Sequence, residues 1–436
     1  MLDKLRNLVG SAHVLSGVEC SPYVLEGRTP EAVVCPGSKE EIGAVLTLAS
    51  EHGVPVLPWG GGTALGIGSP STRVGIVLGL KRLDRVLEHE PGDLTATVEA
   101  GITLDVLQAQ LGRRGQWLSL DPASPDRATV GGILASNASG PRRHLYGTCR
   151  DLLIGVTVVS ADGAVIRGGG KVVKNVAGYD LPKLYIGSFG TLGVLVEATV
   201  RLRPRPDDDR VVVARFERLT EAGAAARAVM ASDLIPSALE IVDGGASRAL
   251  GLGDGAALLF GVDGIQDQVA WQCGELDRLL TALGLTESRV LDGEARDMLW
   301  RQLGDLGTRG ADDVAAVMKW GVLPTQLSGL MEQAAAVAEK NGLGAALTAH
   351  AGIGIATAVL SGGGADINAV VATLIEWRGA VIGAGGHAMV AWAPLPVKER
   401  VSVWDDVGPA TRLMKSLKTR LDPRGILNPG RFVGGI

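Results

Sequence analysis

The residues with the clearest chemical potential are Pro58-Trp59-Gly60-Gly61-Gly62-Thr63-Ala64, a glycine triplet set at the end of an apolar run. Consecutive glycines let several backbone N–H groups converge on an anion, because no Cβ blocks the approach and positive φ is allowed. A diphosphate suits such a nest, although the triplet taken alone serves a tight turn equally well. The dinucleotide fingerprint is not met, since Gly60 and Gly62 are followed by Leu65 where the last glycine belongs. A second group runs from Thr129 through Gly131, Gly132, Ala135 and Ser136 to Asp151, preceded by Asp121-Pro122. Its small residues permit close packing against a flat ring, and its Ser and Asn side chains supply hydrogen bonds. A third joins Gly170–Leu181, with Lys171 and Lys174, to Gly187–Val194, which includes Gly190 and Gly193. Lysines among small residues suit an anionic ligand, although most lysines are simply solvated.

The elements that must hold these groups follow from periodicity. A short strand at 32–35 leads to a helix capped by Ser38 and Glu41, with Ile42, Val45, Leu46 and Ala49 on its apolar face and Gly53 at its end. A strand at 54–57 then carries the glycine turn, so the turn ends a βαβ-like unit, where ligands commonly dock. Further strands are expected at 74–78, 95–99 and 192–202, a helix around Leu104, Leu107 and Leu111, and a hairpin joining 152–159 to 164–167. The stretch 121–151 shows no obvious regular structure, and a connection that long is read as functional. Arg203-Pro204-Arg205-Pro206 and the acidic run 207–209 mark a boundary. Beyond it, helices at 221–231, 266–283 and 324–341 alternate with strands such as 256–262, an α+β pattern. The expected domains are 1–206, 207–403 and a tail 404–436 with a helix around 413–421. No internal repeat is visible.

Composition narrows the class. The 436 residues are 46% hydrophobic and 20% charged, which is globular, and no apolar run reaches membrane-spanning length. No secretory signal is apparent in Met1–Arg6, so a cytoplasmic location is expected. Cys20, Cys35, Cys149 and Cys273 lack metal-ligand spacing and read as buried thiols. A net charge of -5 with four Tyr and four Phe disfavours a nucleic-acid surface. The 62 glycines, about twice the usual share, fit a backbone that approaches a ligand closely.

Four strings in order, GGGTALGIG, TVGGILASNASGPRRHLYGTCRD, KVVKNVAGYDLPKLYIGSFGTLGV and LDPRGILNPGRF, resemble the FAD-binding subunit of bacterial glycolate oxidase. That family lies within the FAD-linked D-2-hydroxyacid oxidoreductases of the vanillyl-alcohol-oxidase (PCMH) type. The resemblance implies an α+β fold: a two-subdomain FAD-binding domain, a ferredoxin-like α+β cap domain, and a tail returning to the first domain. It places the FAD diphosphate at Gly60–Ala64, with Pro58 and Trp59 beside it, and the ribityl chain and isoalloxazine along Asp121-Pro122 and Thr129–Ser136. Gly190 to Val196, including Gly193 and Val194, would pass the adenine end, and Asn428 would approach from the tail. Thr63 and Ala64 stand in the first turn, where covalent attachment would need His or Cys, so the expected FAD is non-covalent.

Metal-dependent members of this group carry His-x-Gly-x-Gly-x-x-His and a later Glu-His-Gly. Here the matching positions are His350, Thr357, Gly386 and His387, so no metal is expected. The resemblance offers Arg301 and Lys319 as cations for a substrate carboxylate, and His387 is the candidate general base. Three functions stay open. The chain oxidises a small 2-hydroxyacid such as glycolate or D-lactate and passes electrons to a partner. Alternatively it is an FAD-binding electron-transfer or structural subunit in a complex with a metal-bearing flavoprotein subunit and an iron-sulfur subunit, at the inner face of a membrane through those partners. A plain NAD-dependent protein is opposed by the broken fingerprint.

Overall fold

The structure, a computed structural model, describes residues 1–171, 179–308, 313–362 and 364–436. The lysine-bearing motif after Gly170 therefore lies largely outside the described residues. The chain forms two compact units: one comprises Met1–Ser139, Thr148–Arg205 and Asp406–Ile436, the other Gly140–Gly147 and Pro206–Asp405.

In the first unit, β1 (Val14–Ser16), β2 (Ala32–Val34), β3 (Val56–Trp59) and β4 (Ile76–Gly79) form a sheet in the order β1-β2-β4-β3. β4 lies parallel between β2 and β3, so the βαβ expectation holds with one strand interposed. The connecting helix Lys39–His52 buries Ile42, Val45, Leu46 and Ala49. Its cap differs in detail from the expected box: Ser38 Oγ accepts from Glu41 N, while the Glu41 carboxylate reaches back to Gly37 N at 2.7 Å.

A second sheet combines β5 (Val86–Glu90), β6 (Thr95–Glu99), β8 (Leu153–Val159), β9 (Val165–Gly169) and β10 (Val194–Arg201), in the order β5-β6-β10-β8-β9, all antiparallel. The short pair β7 (Gln116–Trp117) and β11 (Arg203–Pro204) stands apart. The supposedly structureless stretch contains three short helices, Val130–Ser136, Arg143–Tyr146 and Cys149–Leu152. All four cysteines are buried and free.

The second unit is one eight-stranded sheet: β12 (Asp208–Phe216), β13 (Ala238–Val242), β14 (Ala256–Gly264), β15 (Glu287–Leu291), β16 (Val314–Gly321), β17 (Gly344–His350), β18 (Ile355–Ser361) and β19 (His387–Trp392). The order β15-β12-β14-β13-β17-β18-β16-β19 resolves into two βαββαβ halves, each ferredoxin-like in its strand order. A topological repeat is thus present where the residues show none. The helices Leu219–Met230, Gln266–Thr281, Leu327–Lys340 and Ile367–Gly383 pack on one face over a core that includes Leu276, Met331 and Trp377. On the other face, Val211, Val213 and Leu259 meet Leu299 and Leu303 of the helix Gly293–Asp305. The acidic run is no linker, because Asp208 and Asp209 open β12 and both are ion-paired.

The tail after the helix Ala410–Leu421 joins the first unit by backbone pairing: Val56 N donates to Ile426 O at 2.7 Å and Asn428 N to Val56 O at 3.0 Å. Lys418 Nζ donates to Thr191 O, Leu427 O and Asp422 Oδ2 at 2.8, 2.7 and 2.6 Å. Asp422 also accepts from Ile426 N and Leu427 N. Desolvation pushes the Lys418 pKa down, and its carboxylate partner opposes that shift. Removing one member of a buried pair strands the other, so Lys418→Met is expected to cost about 3–5 kcal/mol in a denaturant titration. A loss within the scatter of exposed-lysine variants would show that the tail is held elsewhere.

Candidate functional site

One cleft in the first unit gathers most of the residues singled out from the sequence. It is lined by Pro58, Gly60–Ala64, Gly131, Gly132, Ala135, Ser136, Gly190, Gly193, Val194 and Asn428, and holds about 760 Å³ of empty space, part of it open to solvent. β3 delivers the glycine turn. Thr129 caps the helix Val130–Ser136 by accepting from Gly132 N, which turns that helix's small residues toward the turn. The glycines serve close packing as well as ligand approach. A Cβ on Gly61 would fall 1.7 Å from Arg127 O, and one on Gly60 would fall 2.2 Å from Thr129 Oγ1. Both positions therefore exclude side chains for reasons internal to the protein.

Trp59, Asp121, Pro122 and Thr129 do not line the cleft. Trp59 packs edge-to-face on Tyr23 with ring centroids 5.2 Å apart, and Thr129 acts through its cap. Conversely, Phe189 and Arg431 line the cleft and were not singled out. Arg431 is buried and donates to Leu65 O and Ile67 O at 2.7 and 2.5 Å, holding the loop that follows the glycines. The sequence signal for it was its place in the last of the four strings. Asn428, at φ 44, donates to Phe189 O at 2.6 Å, while its Oδ1 is buried without a partner among the described residues. An orphaned acceptor in the wall and a side-chain-free turn of backbone N–H groups both fit a ligand with a diphosphate and hydrogen-bond donors.

The second unit carries a separate polar row. Lys319 of β16 stands in register with Thr357 of β18 and Met389 of β19, on the face opposite buried Trp320. His350 of β17 pairs with Glu240 of β13, and its Nδ1 lies 2.6 Å from Glu240 Oε1. The segment Gly140–Gly147 brings further groups. Arg142 bonds Asp263 and Asp209 at 2.7 and 2.6 Å, and the Tyr146 hydroxyl donates to Asp263. His144 lies so close to Gly352 that a Cβ there would meet its Cε1 at 2.3 Å. Of the three catalytic candidates, Lys319 belongs to this row and His387 shares its face at the start of edge strand β19, exposed. Arg301 lies on the exposed side of its helix, between core residues Leu299 and Leu303, and is not part of the row.

Lys319 keeps surface accessible to water, yet protein crowds it enough that desolvation, followed by the like charge of Arg143, pushes its pKa down. Among the described residues it has no hydrogen-bond or ion-pair partner, and no group of three or more His, Cys, Asp or Glu could hold a metal. Burial pushes the His144 imidazole below its usual value, Glu240 opposing this and His350 adding to it. A folded-state pKa lowered in this way costs nothing above the unfolded value and destabilises the fold as pH falls through it. Between about pH 7.5 and 5.5 the denaturation midpoint of the native protein is therefore expected to fall more than that of His144→Gln. Parallel curves for the two proteins would exclude a buried neutral His144.

Comparison with known proteins accounts for both units. An FAD binding domain family matches residues 30–169, and the C-terminal domain family of FAD linked oxidases matches 205–388 and 405–432. A D-lactate dehydrogenase of Archaeoglobus fulgidus is 30% identical over 95% of this chain and 94% of its own. The glycolate oxidase subunit GlcD of Bacillus subtilis is 42% identical over 49% of this chain, a match spanning 46% of that relative. Among solved structures, p-cresol methylhydroxylase aligns at TM-score 0.80 and 18% identity, covering 99% of this chain and 95% of that one. A 4-ethylphenol oxidase from Gulosibacter chungangensis aligns at 0.77, also at 18% identity, over 99% of this chain and 96% of its own. With a vanillyl-alcohol-oxidase-like fold, a cleft fitted to FAD and relatives along its whole length, this chain belongs to the FAD-linked oxidases and is an FAD-dependent oxidoreductase.

Proposed function

We propose that the chain oxidises the hydroxyl-bearing carbon of a small 2-hydroxyacid, such as glycolate or D-lactate, and passes the electrons to a protein partner. The observation that carries this reading is the pair of neighbouring cations, Lys319 and Arg143, with Lys319 partly desolvated and lacking a partner among the described residues. Like charges brought close together repel, and a bound carboxylate relieves that cost through charge-assisted hydrogen bonds. Relatives named as a D-lactate dehydrogenase and a glycolate oxidase subunit support the substrate class.

FAD, when bound, supplies the two-electron acceptor for the substrate's carbon–hydrogen bond. Backbone N–H groups of Gly60–Ala64 would hold its diphosphate, Gly131–Ser136 and Gly190–Val194 would flank it, and the Asn428 carbonyl would receive a donor from it. No covalent link is proposed, because among the described residues neither His nor Cys lines the cleft. The residues of the second unit orient the acid: Lys319 receives its carboxylate, and an imidazole takes the hydroxyl proton. A cytoplasmic location is proposed, and no helix of the described residues is long and apolar enough to cross a membrane.

The second reading, an electron-transfer subunit beside a metal-bearing flavoprotein and an iron-sulfur subunit, draws on Thr357 and Gly386 at the positions where the metal-dependent pattern has ligands. Anaerobic mixing separates the two. Flavin absorbance of the purified chain that bleaches with glycolate or D-lactate supports turnover, whereas bleaching only after the partners are added supports the subunit reading. Lys319→Met should raise KM by about tenfold or more, the worth of one charge-assisted contact, with flavin content unchanged. Gly61→Val should abolish flavin retention, read as the ratio of flavin to protein absorbance. Full flavin occupancy in that variant would place the diphosphate elsewhere.

A further inference from the structure

Glu240 and His350 lie side by side on β13 and β17, with Glu240 Oε1 2.6 Å from His350 Nδ1. Their exposures differ sharply: the Glu240 side chain is 2% accessible and that of His350 20%. A carboxylate this deep, bonded to one imidazole nitrogen, keeps the proton on Nδ1 and leaves the Nε2 lone pair as the open end of the ring.

The surroundings fit proton acceptance. Neighbouring His144, pressed against Gly352, has a buried Nδ1 without a partner among the described residues, and its burial keeps that ring neutral. Across the same face, two strands beyond β17 and with Thr357 of β18 between, stands Lys319, whose pKa the charge of Arg143 helps to lower. The segment bearing Arg143 and His144 is fixed by Arg142 and Tyr146 to Asp209 and Asp263 of β12 and β14. His387, by contrast, is exposed on an edge strand, and its side chain has no partner among the described residues that would set its tautomer.

Building on the 2-hydroxyacid reading, we infer that His350, rather than His387, is the proton acceptor, with Glu240 as its positioning residue and Arg143 joining Lys319 on the substrate carboxylate. In the step, the substrate O–H bond breaks and its proton passes to His350 Nε2. The electron pair left on oxygen would form the carbonyl of the 2-oxoacid, the flavin, when bound, supplying the two-electron acceptor for the carbon–hydrogen bond, so one 2-hydroxyacid gives one 2-oxoacid.

The test uses the full FAD-loaded chain and follows anaerobic flavin reduction by glycolate and D-lactate across pH. His350→Gln is expected to slow reduction by roughly 100-fold or more, the usual worth of a general base, with KM within about threefold of the native value. Glu240→Gln, which keeps a hydrogen-bond acceptor but removes the charge, should slow reduction with KM near the native value. His387→Gln should leave both nearly unchanged. Flavin content and the unfolding midpoint check that each variant is folded. Nitrogen NMR of ring-labelled histidine, with His350→Gln supplying the assignment, should show the Nδ1–H form in the native chain, and that signal should change in Glu240→Gln.

Reduction that survives His350→Gln at the native rate, or a native His350 ring protonated at Nε2 instead, overturns this inference while leaving the substrate proposal standing. A native chain reduced by neither acid overturns the substrate proposal and this inference's catalytic step with it, even where the Nδ1–H signal is found.

Discussion

A single buried ammonium organises the cofactor half of this protein. Lys418 closes three contacts at once, to the Thr191 carbonyl, the Leu427 carbonyl and Asp422, whose carboxylate in turn fixes two backbone N–H groups of the tail. Burying a charge is costly, and this one is tolerated because each nearby acceptor is engaged. The consequence is geometric. With residues 426–428 aligned along β3, Asn428 and Arg431 are held in the cleft wall, one against Phe189 and the other under the loop after the glycine triplet. The glycine-lined cleft is thus assembled from segments more than 200 residues apart in sequence, and the tail is the piece that closes it.

A comparable role in the second unit falls to Arg142. The segment Gly140–Gly147 lies within the sequence of the cofactor unit yet packs with the eight-stranded sheet, bonded to two aspartates that face each other across β12 and β14. Those aspartates would repel if left alone; one guanidinium bridges them, and Arg296 pairs with Asp209 as well. An electrostatic need of the sheet is thereby met by a residue whose neighbours, Arg143 and His144, carry the groups of interest for substrate.

Local chemistry was legible where it is written in neighbouring residues. The helix 39–52 announced its cap, its buried face and its glycine stop, and the hairpin at β8–β9 announced its turn. The glycine turn and the small residues of 131–136 line one cleft, and no local pattern showed that Gly61 is also demanded by Arg127 O. Contacts across long separations were not legible. Nothing local in Glu240 marks it as the partner of His350, 110 positions away, and nothing in the acidic run at 207–209 signals that Arg142 would claim it. The twofold βαββαβ arrangement escaped for the same reason: apolar alternation specifies that a strand exists, while the choice of neighbour is made by helix packing over the whole face.

The arrangement of those two halves bears directly on the polar row. β13 ends the first half and β17 begins the pairing of the second, with Glu240 opposite His350, Ile241 opposite Ala349 and Val242 opposite Thr348. The Glu240–His350 hydrogen bond is therefore a side-chain contact across the seam between the repeats. Slipping that seam by one residue would send Glu240 to the helix-covered face and place an apolar residue beside the imidazole. An uncompensated buried carboxylate makes such a slip expensive. The charge that orients His350 also fixes the register in which the two halves meet, so a substitution there should affect the order of the seam as well as the state of the imidazole.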